Sequence, residues 1–168
     1  MQNAFIRKLQ ACGPLSEGDI ALLTEATSQT RTMAVHRDLI SEGDEPGPAF
    51  VVLDGWAFRY KILPGGSRQI LAFMMPGDFC DPHMGTLEEM DHSLAALTNG
   101  QIASITRERM EALITATPSL TQAFWRAQLI DESVSRAWIA SMEVHAGRQE
   151  GGESLVPNWV LSCASDGS

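Results

Sequence analysis

Apolar residues recur at helical spacing near the start of the chain. Phe5, Ile6, Leu9 and Ala11 fall near one face, and Gly13-Pro14 ends the run. Ser16 has Asp19 three residues on, the spacing of a capping box. Ile20, Leu22, Leu23 and Ala26 carry the apolar face of the second helix that follows. From Thr30 the pattern changes: Thr32, Ala34 and His36 alternate with Arg31, Met33 and Val35, which predicts a strand. Gly and Pro then punctuate the chain up to Gly77, with runs rich in β-formers between them at 50–53, 56–63 and 70–74. Pro64-Gly65-Gly66-Ser67 predicts a hairpin turn, because glycine reaches positive φ without steric cost. A further strand pair is expected at 93–98 and 101–105, joined by the hairpin dipeptide Asn99-Gly100. Short strands with regular turns predict an antiparallel sandwich or barrel. Trp56, Phe58 and Tyr60 alternate with Ala57, Arg59 and Lys61, so the aromatic side is expected to pack inside. Arg59, Lys61 and Arg68 are then expected at the surface.

The helical period returns at Thr106, a capping residue, with Met110, Leu113 and Ile114 facing inward. Pro118 sits where a first helical turn tolerates it. A long helix is predicted from there to about Met142. Leu120, Ala123, Ala127, Ile130, Val134, Ala137 and Ser141 follow at alternating steps of three and four, an a/d seam. The first six are expected at a dimer interface, and Phe124, Trp125, Leu129, Trp138 and Ile139 widen the apolar surface. After Met142 the style breaks. Gly147, Gly151, Gly152 and Gly167 accumulate, Arg148 is the sole Lys or Arg, and the segment reads as a disordered or truncated tail. The expected organisation is a β-roll unit with N-terminal helices over 1–116, a dimerisation helix over 117–142 and the tail over 143–168.

The composition narrows the choices. Of 168 residues 44% are apolar, which suits one folded domain and excludes a disordered chain. The net charge of −9 repels phosphate backbones, so the chain itself is a poor nucleic-acid binder. Cys12, Cys80 and Cys163 are odd in number and widely spaced, which suggests neither a disulfide framework nor a zinc site. Ile70 to Met75 is the longest wholly apolar run, too short to span a bilayer, and the N-terminus carries no secretory h-region. A reduced cytoplasmic setting, with no membrane association, is the expectation.

One set of residues goes beyond composition. Glu42-Gly43-Asp44, the run from Phe50 to Gly55, Gly65-Gly66 and the run from Leu71 to Phe79 occur in order, followed by the long helix. This set resembles the cyclic-nucleotide-binding domain of Crp/Fnr-type transcription regulators, over roughly residues 15–142. The resemblance implies an α+β fold: an antiparallel β-roll, or double-stranded β-helix, flanked by N-terminal helices and a long C-terminal dimerisation helix. It also implies effector sensing, a homodimer and a C-terminal helix-turn-helix that binds DNA. In nucleotide-binding members a Gly-Glu stretch follows the Gly-Asp-Phe turn and holds the ribose, and a later Arg-Ser/Thr pair holds the cyclic phosphate. This chain reads Cys80-Asp81-Pro82-His83 and His92-Ser93 at those places. Pro82 removes an N–H and restricts the backbone. Neutral imidazole lacks the guanidinium's charge and bidentate fork. Losing one charge-assisted pair costs about 1.5–3 kcal/mol, roughly ten- to a hundredfold in affinity. Cyclic AMP is therefore expected to bind weakly or not at all, and no other cofactor is implied.

Cys80, Asp81, His83, His92 and Ser93 remain the candidate ligand-binding residues, for a small-molecule effector of unknown identity. The competing reading of the same residues is turn and strand-end structure. The tail is too short and too poor in Lys and Arg for a winged helix-turn-helix, so a DNA partner is expected only where such a domain is present. A truncated or frameshifted product, or a sensor-only protein, would explain the break. No nucleophile elbow, Walker loop or metalloprotease helix occurs, and no enzyme is expected. Two alternatives stand beside the sensor. One is a cupin-like metal enzyme, for which the His-x-His motif is missing. The other is a ligand-free dimerisation partner of a full-length paralogue.

Overall fold

The computed structural model describes residues 2–80 and 88–146, with side chains described through residue 140. Two short helices come first, α1 (Ala4–Cys12) and α2 (Glu17–Ala26). Eight strands follow: β1 (Thr30–Met33), β2 (Asp38–Ile40), β3 (Ala49–Asp54), β4 (Ala57–Ile62), β5 (Arg68–Met74), β6 (Phe79–Cys80), β7 (Ser93–Ala96) and β8 (Gly100–Ile105). Helices α3 (Arg107–Ala116) and α4 (Pro118–Ala146) come last among the described residues. The chain divides into two compact units, Met1–Ser135 and Arg136–Ser168. Of the second, only the last stretch of α4 is described.

The strands form two four-stranded antiparallel sheets, ordered β1-β8-β3-β6 and β2-β7-β4-β5. Successive strands therefore change sheet. β1 passes to β2, β3 to β4, β5 to β6, and β7 to β8, each crossing from one sheet to the other. Within a sheet, the turn at Pro64-Gly65-Gly66-Ser67 closes a true hairpin, with Leu63 N–H donating to Ser67 O at 2.9 Å and β4 paired with β5. Asn99-Gly100 is different, and corrects the expected hairpin. β7 pairs with β2 and β4, whereas β8 pairs with β1 and β3. The dipeptide is a corner between sheets.

Three such corners lie against one another. Leu97 N–H donates to Trp56 O at 2.8 Å, and Trp56 N–H donates to Thr98 Oγ1 at 2.9 Å. Asn99 Oδ1 accepts from Val35 N–H at 2.9 Å, and His36 N–H donates to Ala96 O at 2.9 Å. The contact leaves no room for side chains. A Cβ on Gly55 would lie 2.6 Å from Asn99 O, and Gly55 has φ +76°. A Cβ on Gly100 would run into Asp54 O. Glycine at both positions is a steric necessity.

Two apolar layers follow from the sheets. Between them lie Met33, Phe50, Val52, Ala57, Met74, Cys80, Leu94, Ala96 and Ile102, all buried. The opposite face of the β1-β8-β3-β6 sheet packs on the helices through Val51, Phe79, Ala103 and Ile105, against Phe5, Leu9, Leu23, Met110, Leu120, Ala123, Phe124 and Ala127. Phe5, Phe79 and Phe124 form a cluster with ring centroids 5.6–6.1 Å apart, offset or edge-on, as their quadrupoles favour.

The helix ends are fixed as the sequence suggests. Ser16 caps α2, and Ser16 and Asp19 make the reciprocal capping box. Thr106 caps α3 by accepting from Arg109 N–H. Asp19 does more than cap. It is 1% exposed, and its carboxylate also accepts from Thr117 Oγ1 at 2.6 Å and Ser119 Oγ at 2.7 Å. One buried carboxylate thus ties α2 to the α3–α4 junction. Burial alone would raise its pKa, but the hydrogen bonds from Thr117, Ser119 and Ser16 outweigh it and hold the group at about 2, below the ordinary 3.8. A depressed carboxylate stabilises the fold above its unfolded pKa, and the contribution is lost as pH falls through the folded value. Asp19→Ala is therefore expected to cost on the order of 2–3 kcal/mol at neutral pH. Chemical denaturation at pH 7 and at pH 2 should show the difference between wild type and variant shrinking over the interval from about pH 4 to about pH 2.

Candidate functional site

The alternation along β4 is the reverse of the expectation. Ala57 is buried between the sheets, while Phe58 and Tyr60 lie on the other face with Ala95, Ile70, Phe73 and Leu97. A bulky aromatic row would not fit between sheets already filled by Met33, Phe50, Met74 and Leu94, so the small residue turns inward. The outer aromatics are covered instead by Arg68, whose guanidinium lies 4.2 Å from the Tyr60 ring centroid. Tyr60 also donates its hydroxyl to Asp38 at 3.0 Å.

This register puts Arg59 on the inner side. It pairs with Leu94 on β7 and Ala72 on β5, and Leu94 belongs to the layer between the sheets. Directly opposed residues of an antiparallel pair share a face. Arg59 is only partly exposed and its Nε is enclosed, so its expected place at the surface is corrected. Lys61 does reach the rim, where it pairs with Glu42 at 3.1 Å.

The three described candidate ligand-binding residues, Cys80, His92 and Ser93, do not share one place. Cys80 lies on β6 opposite Phe50, fully buried between the sheets. Ser93 pairs with Tyr60, on the face away from Cys80, and its Oγ accepts from Glu42 N–H at 2.9 Å. That bond holds the β2–β3 loop against β7. Met90 reinforces it, accepting from Gly43 N–H at 2.8 Å and donating to Asp44 O at 2.9 Å. His92 is largely buried, and its Nδ1–H donates to Asp91 at 2.6 Å. Asp81 and His83 lie outside the described residues. Among the described residues, no group of three or more His, Cys, Asp or Glu side chains is placed to hold a metal ion.

The turn that leads into β6 is anchored from outside the roll. Asp78 accepts from Met75 N–H at 2.8 Å through one oxygen and from Lys8 Nζ at 2.7 Å through the other. Lys8 reaches on to Asp131 of α4 at 3.1 Å. Burial lowers the Lys8 pKa, but Asp78 and then Asp131 more than compensate, and the net direction is up from 10.5. A Cβ on Gly77 would lie 2.9 Å from Ala4 O, so turn and helix touch backbone to backbone. Arg126 of α4 donates to Cys12 O at 2.9 Å, completing the C-terminus of α1 with a cation.

The seam along α4 divides. Leu120, Ala123 and Ala127 are buried in the chain's own core, which takes them out of reach of a second chain. Their small and apolar side chains serve the close approach of α4 to the β1-β8-β3-β6 sheet. Ile130 and Val134 are half exposed, as are Trp125 and Leu129. Trp125 and Leu129 are four residues apart and share one face, and Ile130 and Val134 share another. Ala137, in the second unit, is exposed.

Comparison with known proteins agrees with this architecture. The family model described as the cyclic nucleotide-binding domain matches residues 30–117. The transcriptional activatory protein AadR of Rhodopseudomonas palustris is 34% identical over 77 residues, covering 46% of this chain and 32% of its own. A probable transcriptional activator of Rhizobium leguminosarum bv. viciae is 24% identical over 131 residues, 78% of this chain and 53% of its own. The chain thus spans between a third and about half of the length of these curated relatives. Among solved structures, the catabolite activator protein of Thermus thermophilus superposes with a TM-score of 0.64 at 20% identity, over 82% of this chain and 63% of that one. By the match over its roll and by these relatives, the chain belongs to the cyclic nucleotide-binding domain family, with Crp/Fnr-like transcriptional regulators as its homologues.

Proposed function

We propose that residues 1–168 form the effector-sensing, dimerising part of a Crp/Fnr-type transcription regulator. One observation carries the reading. The first turns of α4 belong to the same core as the roll, through Leu120, Ala123, Phe124 and Ala127 against Val51 and Phe79, and the helix then runs on with apolar residues exposed. A helix rooted in the sensor's core follows any repacking of that core, and its exposed part offers that movement to a second copy. No helix among the described residues is long and apolar enough to cross a membrane.

The dimer forms through the exposed stretch of α4, with Trp125, Leu129, Ile130 and Val134 as its apolar surface. Sedimentation equilibrium at tens of micromolar, about the range of modest interfaces, is expected to give a dimer. Ile130→Asp and Leu129→Asp place an unpaired charge on one face each, and the face whose charge yields monomers is the interface. A monomeric wild type, or dimers unaffected by both substitutions, would refute the reading.

Cyclic AMP is not the effector. Ser93 Oγ is already engaged by the backbone of Glu42, and His92 supplies no guanidinium fork. Isothermal titration should show no binding, or binding weaker than about 100 μM, a hundredfold short of a micromolar complex. Low-micromolar affinity would overturn this.

The 168-residue chain does not hold DNA by itself. Its net charge of −9 denies it the sequence-independent attraction on which such binding starts. Electrophoretic shift of pooled genomic fragments at low salt should give no retained band, and a sequence-selective band would overturn this.

A further inference from the structure

We infer that Lys8 is a positioning residue that couples the turn before β6 to the exposed stretch of α4, so that a change at either end is felt at the other. The inference rests on the dimerising sensor proposed above and names the link between its roll and its dimer helix.

Three elements meet at one ammonium. Lys8 stands on α1, Asp78 in the turn that leads into β6, and Asp131 on α4. Lys8 Nζ donates to Asp78 Oδ1 at 2.7 Å and to Asp131 Oδ1 at 3.1 Å. The side chains of Lys8, Asp78 and Asp131 are 22%, 15% and 32% exposed, so water screens the three charges only in part. An ion pair at the surface contributes little, because each partner has water as an alternative. This cation has given up most of its water, and carboxylates from two separate elements replace it.

Each carboxylate is tied to its own end. Asp78 Oδ2 accepts from Met75 N–H at 2.8 Å, Asp78 N–H donates to Met75 O at 2.9 Å, and Asp78 O accepts from Val52 N–H at 2.9 Å. Gly77 N–H donates to Val52 O at 2.8 Å. The Asp78 side chain therefore moves only with the turn and with β3 beneath it. Asp131 lies one helical turn beyond Ala127, the buried residue farthest along α4 among those described. It directly follows Ile130, and Val134 stands three residues on, both half exposed. A shift of the exposed stretch pulls on Asp131, a shift of the turn pulls on Asp78, and both pull on the same atom.

Helix α1 is the fixed part between them. Phe5, Ile6 and Leu9 hold it in the core, and Arg126 of α4 donates back to Cys12 O at 2.9 Å. The Arg126 contact joins two elements, whereas the Lys8 contact joins three. Without the ammonium, Asp78 and Asp131 are left as neighbouring like charges, which repel. With one carboxylate neutralised, the half-buried cation is undercompensated, and its long stem lets it swing out to water. The other carboxylate then loses its partner too, so the two contacts stand or fall together. The competing reading is that Lys8 stabilises α1 alone.

The test uses the 168-residue chain and reads each change at the far end. Hydrogen exchange reports the turn through the Gly77 and Asp78 amides, and sedimentation equilibrium reports the dimer. Asp131→Asn, on α4, should speed exchange of the turn amides about fivefold. Asp78→Asn, in the turn, should weaken dimerisation about fivefold. Lys8→Met should do both, and Lys8→Arg, which keeps the charge and the reach, should stay near wild type. In the Lys8→Met background, Asp131→Asn should slow the turn amides again, because the repulsion is gone. The two Asn variants carry the test if Lys8→Met does not fold. Amides of α2 and α3 are the control, since a general loss of stability moves them equally. Turn exchange that ignores Asp131→Asn, or that rises no more than in α2 and α3, overturns the coupling. So does a wild-type dimer whose Kd ignores Asp78→Asn. A monomeric wild type refutes the dimer reading, and the turn amides then decide the coupling by themselves.

Discussion

The roll depends on three crossings that touch. At Gly55, at Asn99-Gly100 and between Val35 and Arg37 the chain leaves one sheet for the other, and the three passages are bonded to each other rather than to solvent. Because a Cβ on Gly55 or Gly100 would collide with backbone, the corners can approach until only main chain lies between them. That distance sets how close the two sheets stand at this end. It also fits the small size of Ala57 and Ala96, which stand beside Met74 in the inner row nearest the corners. The rest of the inner layer inherits its width from the corners, including the row where Arg59 stands.

A second constraint acts from outside. The turn before β6 is bound to α1 by Gly77 against Ala4 and by Asp78 against Lys8, and Lys8 continues to α4. Asp19 makes a similar bridge from α2 to the α3–α4 junction. Both bridges are polar, and both join helix to helix or helix to turn among elements that share the core holding Phe5, Phe79 and Phe124. The apolar cluster supplies the bulk of the attraction, and the bridges fix its geometry. Asp78 and Asp131 raise the Lys8 pKa from its ordinary 10.5, so the ammonium keeps its charge at neutral pH.

Much of this was legible in the chain itself. The capping box at Ser16 and Asp19, the hairpin at Gly65-Gly66, the start of α4 at Pro118 and the strand runs of β3, β4 and β5 all follow from local rules, because in each the deciding contact lies within a few residues. Four features do not follow. β2 and β6 have three and two residues, too few for a period to show. Asn99-Gly100 has hairpin chemistry, yet its flanking strands go to different sheets, and only the pairing of β8 with β1 decides that. The inward face of β4 does not follow, because alternation gives two faces without saying which is inside. The size of Ala57 beside Arg59 was the available signal, since the space between closely packed sheets selects small residues. The seam on α4 is one surface by its spacing, whereas its first part is consumed by the roll, a fact that depends on where the sheet ends.

The order of pairing has a consequence for how the chain reaches this state. Strand β1 finds its partner only in β8, Thr30 with Ala103, about seventy residues later, and β2 waits for β7. Among the described strands the β4–β5 hairpin alone closes locally. A growing chain on the ribosome can form α1, α2 and that hairpin early, but the β2-β7-β4-β5 sheet waits for residue 96 and the β1-β8-β3-β6 sheet for residue 105. Until then β1 and β3 are exposed edges. Loop-closure entropy makes such a topology a slow folder compared with a helical bundle of equal length. The acidic surface then serves the nascent chain: mutual repulsion keeps unfinished edges of neighbouring copies apart while the last strand is made.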